Sequence, residues 1–230
     1  MKTVIGHLEE LRKHLIIIAA FFAFFSAIGI IFSGWLLELS IGWLISGMPV
    51  KLITTTPFEF IATQVKLGIF LGIIMTVPVI AYQAAKFVKP ALGKRHRAWL
   101  NIGIPASIIL FAAGFAFALF VFLRFGLVFL GNLAPAYGIA NYWSIGAFTS
   151  TVFLTCIAVG AIFEMPLLAV ILSKAGVIRR STLTGKRRYA YVAIALAAAA
   201  ITPTPDALNM LIVFVPMMMM LEVSMLLVRK

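Results

Sequence analysis

Long apolar runs separated by short polar stretches dominate the pattern of this chain. The first runs from about His14 to Trp35. A mixed segment, Leu36 to Phe60, follows, with Trp35 and Trp43 at interface-like positions and a break at Gly47-Met48-Pro49. It predicts a loop carrying a short interfacial helix. Three further runs cover about Ile61 to Ala84, Trp99 to Leu123 and Ile145 to Leu172. At a rise of about 1.5 Å per residue, each is long enough as a helix to cross a hydrocarbon layer of about 30 Å. The last two runs are less alike. Tyr189 to Ile201 is short, holds Ala197-Ala198-Ala199-Ala200 and stops at Thr202-Pro203-Thr204-Pro205-Asp206, whereas Ala207 to Val228 is a full apolar run. The short run spans only where the bilayer thins or the helix ends snorkel; otherwise the pair forms a re-entrant hairpin. In both cases the chain returns to the side it left, so the position of the C-terminus is the same.

Composition turns this pattern into a class. The chain is 63% hydrophobic and only 11% charged over 230 residues. A water-soluble fold of this size has no place for so much apolar surface, and a bilayer has. A single polytopic membrane domain over residues 1–230 is predicted, all-α. The first run is longer than the core of a secretory signal and lacks a clear small-x-small cleavage site, so it reads as a retained span. Of the lysines and arginines, 16 fall in one set of alternate loops and termini, while 3 (Lys51, Lys66 and Arg124) fall in the other. Basic loops stay in the cytoplasm. The expectation is six spans with both termini cytoplasmic, in a multi-pass protein of the cell membrane. This bias also accounts for most of the net charge of +12 without nucleic acid as a partner. The single cysteine, Cys156, lies in an apolar run and makes no intrachain disulfide.

Candidate chemistry starts at His7-Leu8-Glu9-Glu10-Leu11-Arg12, just ahead of the first run. If the first helix extends through these residues, positions three and four apart share a face. Glu9 then neighbours Arg12 and Lys13, whereas Glu10 neighbours His7 and His14, both largely uncharged at neutral pH. On spacing, Glu10 is the carboxylate with capacity to accept an outside guanidinium through two parallel N–H bonds. The plain alternative is a solvated helix end with glutamates placed favourably near its N-terminus. A second acid, Glu164 in Phe163-Glu164-Met165-Pro166, falls well inside the fourth span. An ionisable group there costs about 2.5 kcal/mol or more and should face protein or a watered cavity, and Pro166 should bend the helix beside it. It reads either as a polar site for substrate, proton or partner helix, or as a protonated packing residue. Glu222, near the end of the last run, lies within snorkelling reach of the cytoplasmic interface, and Lys66 is in register for a local pair with Glu59. The methionine run Met217 to Met220 reads as packing. The histidines have no metal-ligand or hydrolase spacing, and there is no phosphate-cradling glycine loop. No catalytic residue, metal or cofactor is expected.

Taken together, these marks resemble the TatC family, the multi-spanning receptor subunit of the twin-arginine protein translocase. The residues that carry the resemblance run in order along the chain: His7 to Arg12, Pro57-Phe58-Glu59-Phe60, Phe87-Val88-Lys89-Pro90-Ala91-Leu92, Phe163-Glu164-Met165-Pro166, Pro205-Asp206, then Pro216 and Glu222. The resemblance implies a cupped bundle of six helices with short fifth and sixth spans. It implies recognition of twin-arginine signal peptides on folded cargo, and transport driven by the proton-motive force. The implied partners are small single-span subunits of the TatA and TatB type, membrane lipid, and further copies of the chain within a larger complex. It places Glu10, with Glu9, Arg12, Phe87, Pro90, Leu92 and His96, at the signal-peptide site. Glu164 and Glu222 become intramembrane polar positions, and Pro57, Glu59 and Asp206 form an outer-side motif. One departure stands out. The family commonly carries a second acid a few positions after Pro-Ala-Leu, and here that loop reads Gly93-Lys94-Arg95-His96-Arg97, with His96 at the aligned position. Either Glu9 supplies the second carboxylate, or the peptide approaches differently, or specificity is altered. The chain is also expected to lack a cytoplasmic tail after its last span. The alternative to a peptide receptor is a proton-coupled secondary transporter using Glu164.

Overall fold

The computed structural model describes residues 4–89, 98–174, 185, 187–201 and 207–228. Helix α1, Val4–Ile31, does extend ahead of the first apolar run and so carries the Glu9-Glu10 pair on helical backbone. The chain breaks at Phe32 and resumes as α2, Ser33–Leu44. The turn that ends this segment places Gly47 at φ 79°, a conformation that costs glycine little. A short strand β1, Val50–Ile53, leads to α3, Glu59–Val88. Helix α4, Ala98–Phe117, continues through a π-helical stretch, Ala118–Leu123, into α5, Arg124–Leu133. Strand β2, Asn141–Ser144, precedes α6, Ile145–Phe163, whose first turn is capped by the Ser144 hydroxyl accepting from the Ala147 N–H at 3.1 Å. Helices α7, Met165–Lys174, α8, Arg187–Ile201, and α9, Ala207–Leu227, complete the described chain.

Among the described residues, five helical segments are long and apolar enough to cross a membrane: Leu8–Ile31, Glu59–Val88, Ile102–Tyr137, Ile145–Lys174 and Met210–Leu227. Helicity satisfies every backbone polar group where no water can. Helix α8 has 15 residues, about 22 Å at the α-helical rise, and stays short as the sequence suggests. The last helix does not. With 21 residues α9 reaches about 31 Å, because Pro216 is accommodated inside the helix and the unbranched methionines after it keep the helix going. The third span also runs past its expected end at Leu123, since the π-helical stretch carries the register on to Leu133 rather than ending it.

Packing between α1 and α3 is close. A side chain built at Gly68 would meet the Ile30 backbone nitrogen at 2.8 Å, and one at Gly29 would meet the Gly68 carbonyl oxygen at 2.7 Å. Inside lipid the apolar environment offers helices little reason to associate, so contact of this kind, backbone against backbone, supplies dispersion that larger residues would prevent. The main core gathers Phe122, Leu127, Phe148, Val152, Cys156, Val213 and Met217 from the later helices. At one end of the bundle β1 and β2 pair in parallel, Val50 opposite Asn141 through Ile53 opposite Ser144, and tie two loops together. Neither strand stands out in the hydropathy pattern. At the other end lie the start of α1 and the end of α3.

Candidate functional site

An open cleft of about 390 Å³ lies at that second end, lined by Gly6, Glu9, Glu10, Lys13, His14 and Ile17 of α1 and by Lys86 of α3. Two carboxylates therefore share one concave surface with an imidazole and an apolar wall. Glu9 is exposed, and no ion pair joins it to Arg12 or Lys13 among the described residues. Glu10 is half-buried and already has an interaction within the chain. The expected engagement of Glu9 by Arg12 and Lys13 is thus not formed, and Glu10, left with spare capacity by spacing, has a partner within the chain. Helical neighbours can meet but need not, and long exposed side chains gain little by doing so. Arg12 is exposed and does not line the cleft.

Beneath the acids, His14 and Gln83 are both buried, at 8% and 6% exposure, and the His14 Nδ1 lies 2.7 Å from the Gln83 Oε1. The Phe87 ring meets His14 edge-on at 6.0 Å between centroids. One turn of α3 thereby brings Gln83 and Phe87 against the same residue of α1. Gln83 does not stand out as a site residue in the sequence. The signal available was a lone amide near the end of an apolar helix, four residues before an aromatic in the Phe87-to-Leu92 segment. Pro90, Leu92 and His96 lie outside the described residues.

Three other acids, Glu164, Glu222 and Glu59, each have local partners. Glu164 sits at the junction of α6 and α7, where the helix breaks just ahead of the buried Pro166, and accepts a hydrogen bond from the Ser107 hydroxyl of α4 at 2.7 Å. Glu222 of α9 is bound by Arg187 at the start of α8, with Nε donating to Oε1 at 2.9 Å and a second nitrogen to Oε2; the Tyr191 hydroxyl donates to the same carboxylate. The arginine also lies over the Tyr191 ring, 5.7 Å from its centroid. Glu222 is thus a partner in a bidentate ion pair between two helices, not a side chain reaching alone for the interface.

At the strand-bearing end, Glu59 receives the Thr55 N–H, the Thr55 hydroxyl at 2.7 Å, the Ser144 hydroxyl and the Gly146 N–H at 3.0 Å. Four donors occupy both oxygens, and the acid fastens the turn holding the exposed Pro57 to the first turn of α6. The Glu59–Lys66 pair is not formed. Lys66 donates instead to the Ser150 hydroxyl across the α3–α6 contact at 3.3 Å, because the donors of the β2–α6 corner reach the carboxylate first. Arg124 donates to the Trp43 and Leu44 carbonyls at 3.0 and 3.1 Å and so terminates α2. Asp206 lies outside the described residues. Among those described, no group of histidines, cysteines or acids is arranged to hold a metal ion.

The acidic cleft beside the α1–α3 contact thus lies at one end of a bundle of membrane-length helices. A family model described as Sec-independent protein translocase protein (TatC) matches residues 6–216. The chain belongs to the TatC family. It is 34% identical over 221 residues to the Sec-independent protein translocase protein TatC of Aquifex aeolicus, covering 95% of this chain and 91% of that one. It is 32% identical to the TatC of Carboxydothermus hydrogenoformans, covering 96% and 90%. A crystal structure of the twin-arginine translocase receptor TatC superposes with a TM-score of 0.85 at 33% identity, covering 96% of this chain and 97% of the other. A second, in detergent, gives 0.87 at 32% identity. As a TatC, the chain is a receptor subunit of a protein translocase and not an enzyme, and it is a multi-pass protein of the cell membrane.

Proposed function

We propose that the cleft at the start of α1 binds the paired arginines of twin-arginine signal peptides, and that the chain thereby admits folded cargo to transport driven by the proton-motive force. The observation that carries this reading is the placement of Glu9 and Glu10 on one concave surface with Ile17 as an apolar wall. A carboxylate offers about four lone-pair sites. Glu10, although engaged within the chain, retains acceptor capacity for a guanidinium, and exposed Glu9 supplies a second acceptor in place of the acid absent at His96. Lys13 and Lys86 at the margins repel a badly seated cation and so favour one register for the peptide. Phe87, Pro90 and Leu92 would receive the apolar residues that follow the arginines. The cleft faces the cytoplasm in this reading, consistent with 16 of the lysines and arginines falling on its side. Helix α8 is the fifth of six spans, held across a thinned bilayer by its ion pair to α9, the sixth, and the six helices form a cup. Small single-span partners of the TatA and TatB type would pack on the helices around Glu164, whose bond to Ser107 leaves it half-exposed, and further copies of the chain would join the assembly.

Export of a twin-arginine precursor from cells that depend on this chain tests the reading. Glu10→Gln should reduce export and peptide binding at least tenfold at unchanged abundance, and Glu9→Ala should reduce them measurably. Export and binding that survive both substitutions would overturn the assignment.

A further inference from the structure

The His14–Gln83 pair beneath the cleft has a consequence for what the cleft can bind. Gln83 presents its carbonyl oxygen, an acceptor only, to the His14 Nδ1 at 2.7 Å, so Nδ1 carries the proton. In the neutral ring the remaining nitrogen, Nε2, is then an acceptor with its lone pair in the ring plane. Nε2 has no partner among the described residues. The unpartnered side-chain polar atoms that are fully buried there are the Ser26 and Thr149 hydroxyls, and Nε2 is not one of them. The ring is 8% exposed, and the opening it lines is the cleft with Glu9 and Glu10. Phe87, edge-on at 6.0 Å, limits the ring's rotation from the side of α3.

We propose that His14 is a direct ligand of the bound peptide, with Gln83 fixing its tautomer so that Nε2 accepts an N–H from one guanidinium. This rests on the cleft being the twin-arginine site. A neutral acceptor suits this position better than a third acid. It adds a directional hydrogen bond to a fork of donors without drawing Lys13 or Lys86 across the opening, and its orientation is set before the peptide arrives. One arginine then meets the carboxylates alone, and the other is shared between a carboxylate and the imidazole. The two arginines of the motif are thereby read by chemically different acceptors.

The test uses the full chain in detergent and a synthetic signal peptide with consecutive arginines, together with its two single Arg→Gln forms. His14→Phe keeps a ring against Phe87 and removes both nitrogens; it should weaken the twin-arginine peptide roughly tenfold, the scale of one hydrogen bond to a charged group. His14→Gln can donate to Gln83 while its own carbonyl accepts, and should keep most of the affinity. The His14→Phe loss should disappear for one of the two single-glutamine peptides and persist for the other. Should His14→Phe not fold, Gln83→Leu carries the same test, since freeing Nδ1 should weaken binding with the same dependence on one arginine. Wild-type affinity in His14→Phe, a loss of equal size for all three peptides, or equal losses in His14→Phe and His14→Gln would overturn the proposal. If the wild-type chain does not prefer paired arginines at all, the reading of the cleft fails and this inference with it. If that preference is present and is abolished by Glu10→Gln but not by His14→Phe, only the role of His14 fails.

Discussion

At the residue scale, Glu59, Glu164 and Glu222 each meet different surroundings. Glu59 accepts four hydrogen bonds from one corner of the fold, whereas Lys66, its expected partner in sequence, is held only by a serine hydroxyl. Neutralising the two should therefore have unequal effects. Glu59→Gln turns an oxygen that faces donors into a donor and should lower the thermal midpoint of the detergent-solubilised protein by several degrees. Lys66→Gln should change it little. Equal shifts in thermal denaturation would mean that the two act as a pair after all. The motif around Pro57 and Glu59 was visible in the sequence as a cluster of residues, but not what it fastens, because Ser144 and Gly146 lie more than eighty positions away.

At the element scale, the contact of α1 with α3 decides the shape of the cleft. Gly29 and Gly68 let the two backbones touch, and His14 and Gln83 fix their relative rotation closer to the cleft. Overpacking at such a contact costs about 1–3 kcal/mol. Gly68→Leu should destabilise by that amount and also weaken peptide binding, although the residue lies well along α3 from the cleft, because α1 would be displaced from Gln83 and Phe87. Peptide titration alongside thermal denaturation checks both effects; destabilisation with full affinity would show that the cleft does not depend on this packing. Glycines at these positions are readable in the sequence, and so is the apolar length of each helix. Which glycine faces which is not, since every one of these helices is apolar nearly all the way round and has no polar stripe to mark its inner face.

At the scale of the whole molecule, the distribution of lysine and arginine and the tie between β1 and β2 define two unlike ends. If the basic side is cytoplasmic, an engineered cysteine beside Arg229 should resist an impermeant thiol reagent added outside intact cells, while one at the exposed Tyr142 of β2 should react. The reverse labelling pattern would invert the orientation, and labelling at both positions from outside would place α8 outside the count of spans. Such an experiment addresses what helix length alone leaves open, since α8 at about 22 Å is shorter than the usual hydrocarbon thickness.

By itself the sequence determined that this chain lives in a bilayer, where its long helices lie, that acids precede the first of them, and which family its ordered motifs resemble. Those are consequences of local composition: apolar length satisfies a hydrocarbon layer whatever the neighbours are, and a charge bias acts on each loop separately. The tertiary structure decided the partners. It joined Glu222 to Arg187 and Tyr191, gave Glu59 to the β2–α6 corner instead of Lys66, and placed Gln83 under His14. Hydrogen bonds are short-ranged and directional, so which donors reach a given acid depends on how the helices cross, and spacing along one helix does not contain that information. The same holds for the site: two adjacent glutamates are plain in the sequence, but the cleft they line exists only because α3 lies against α1.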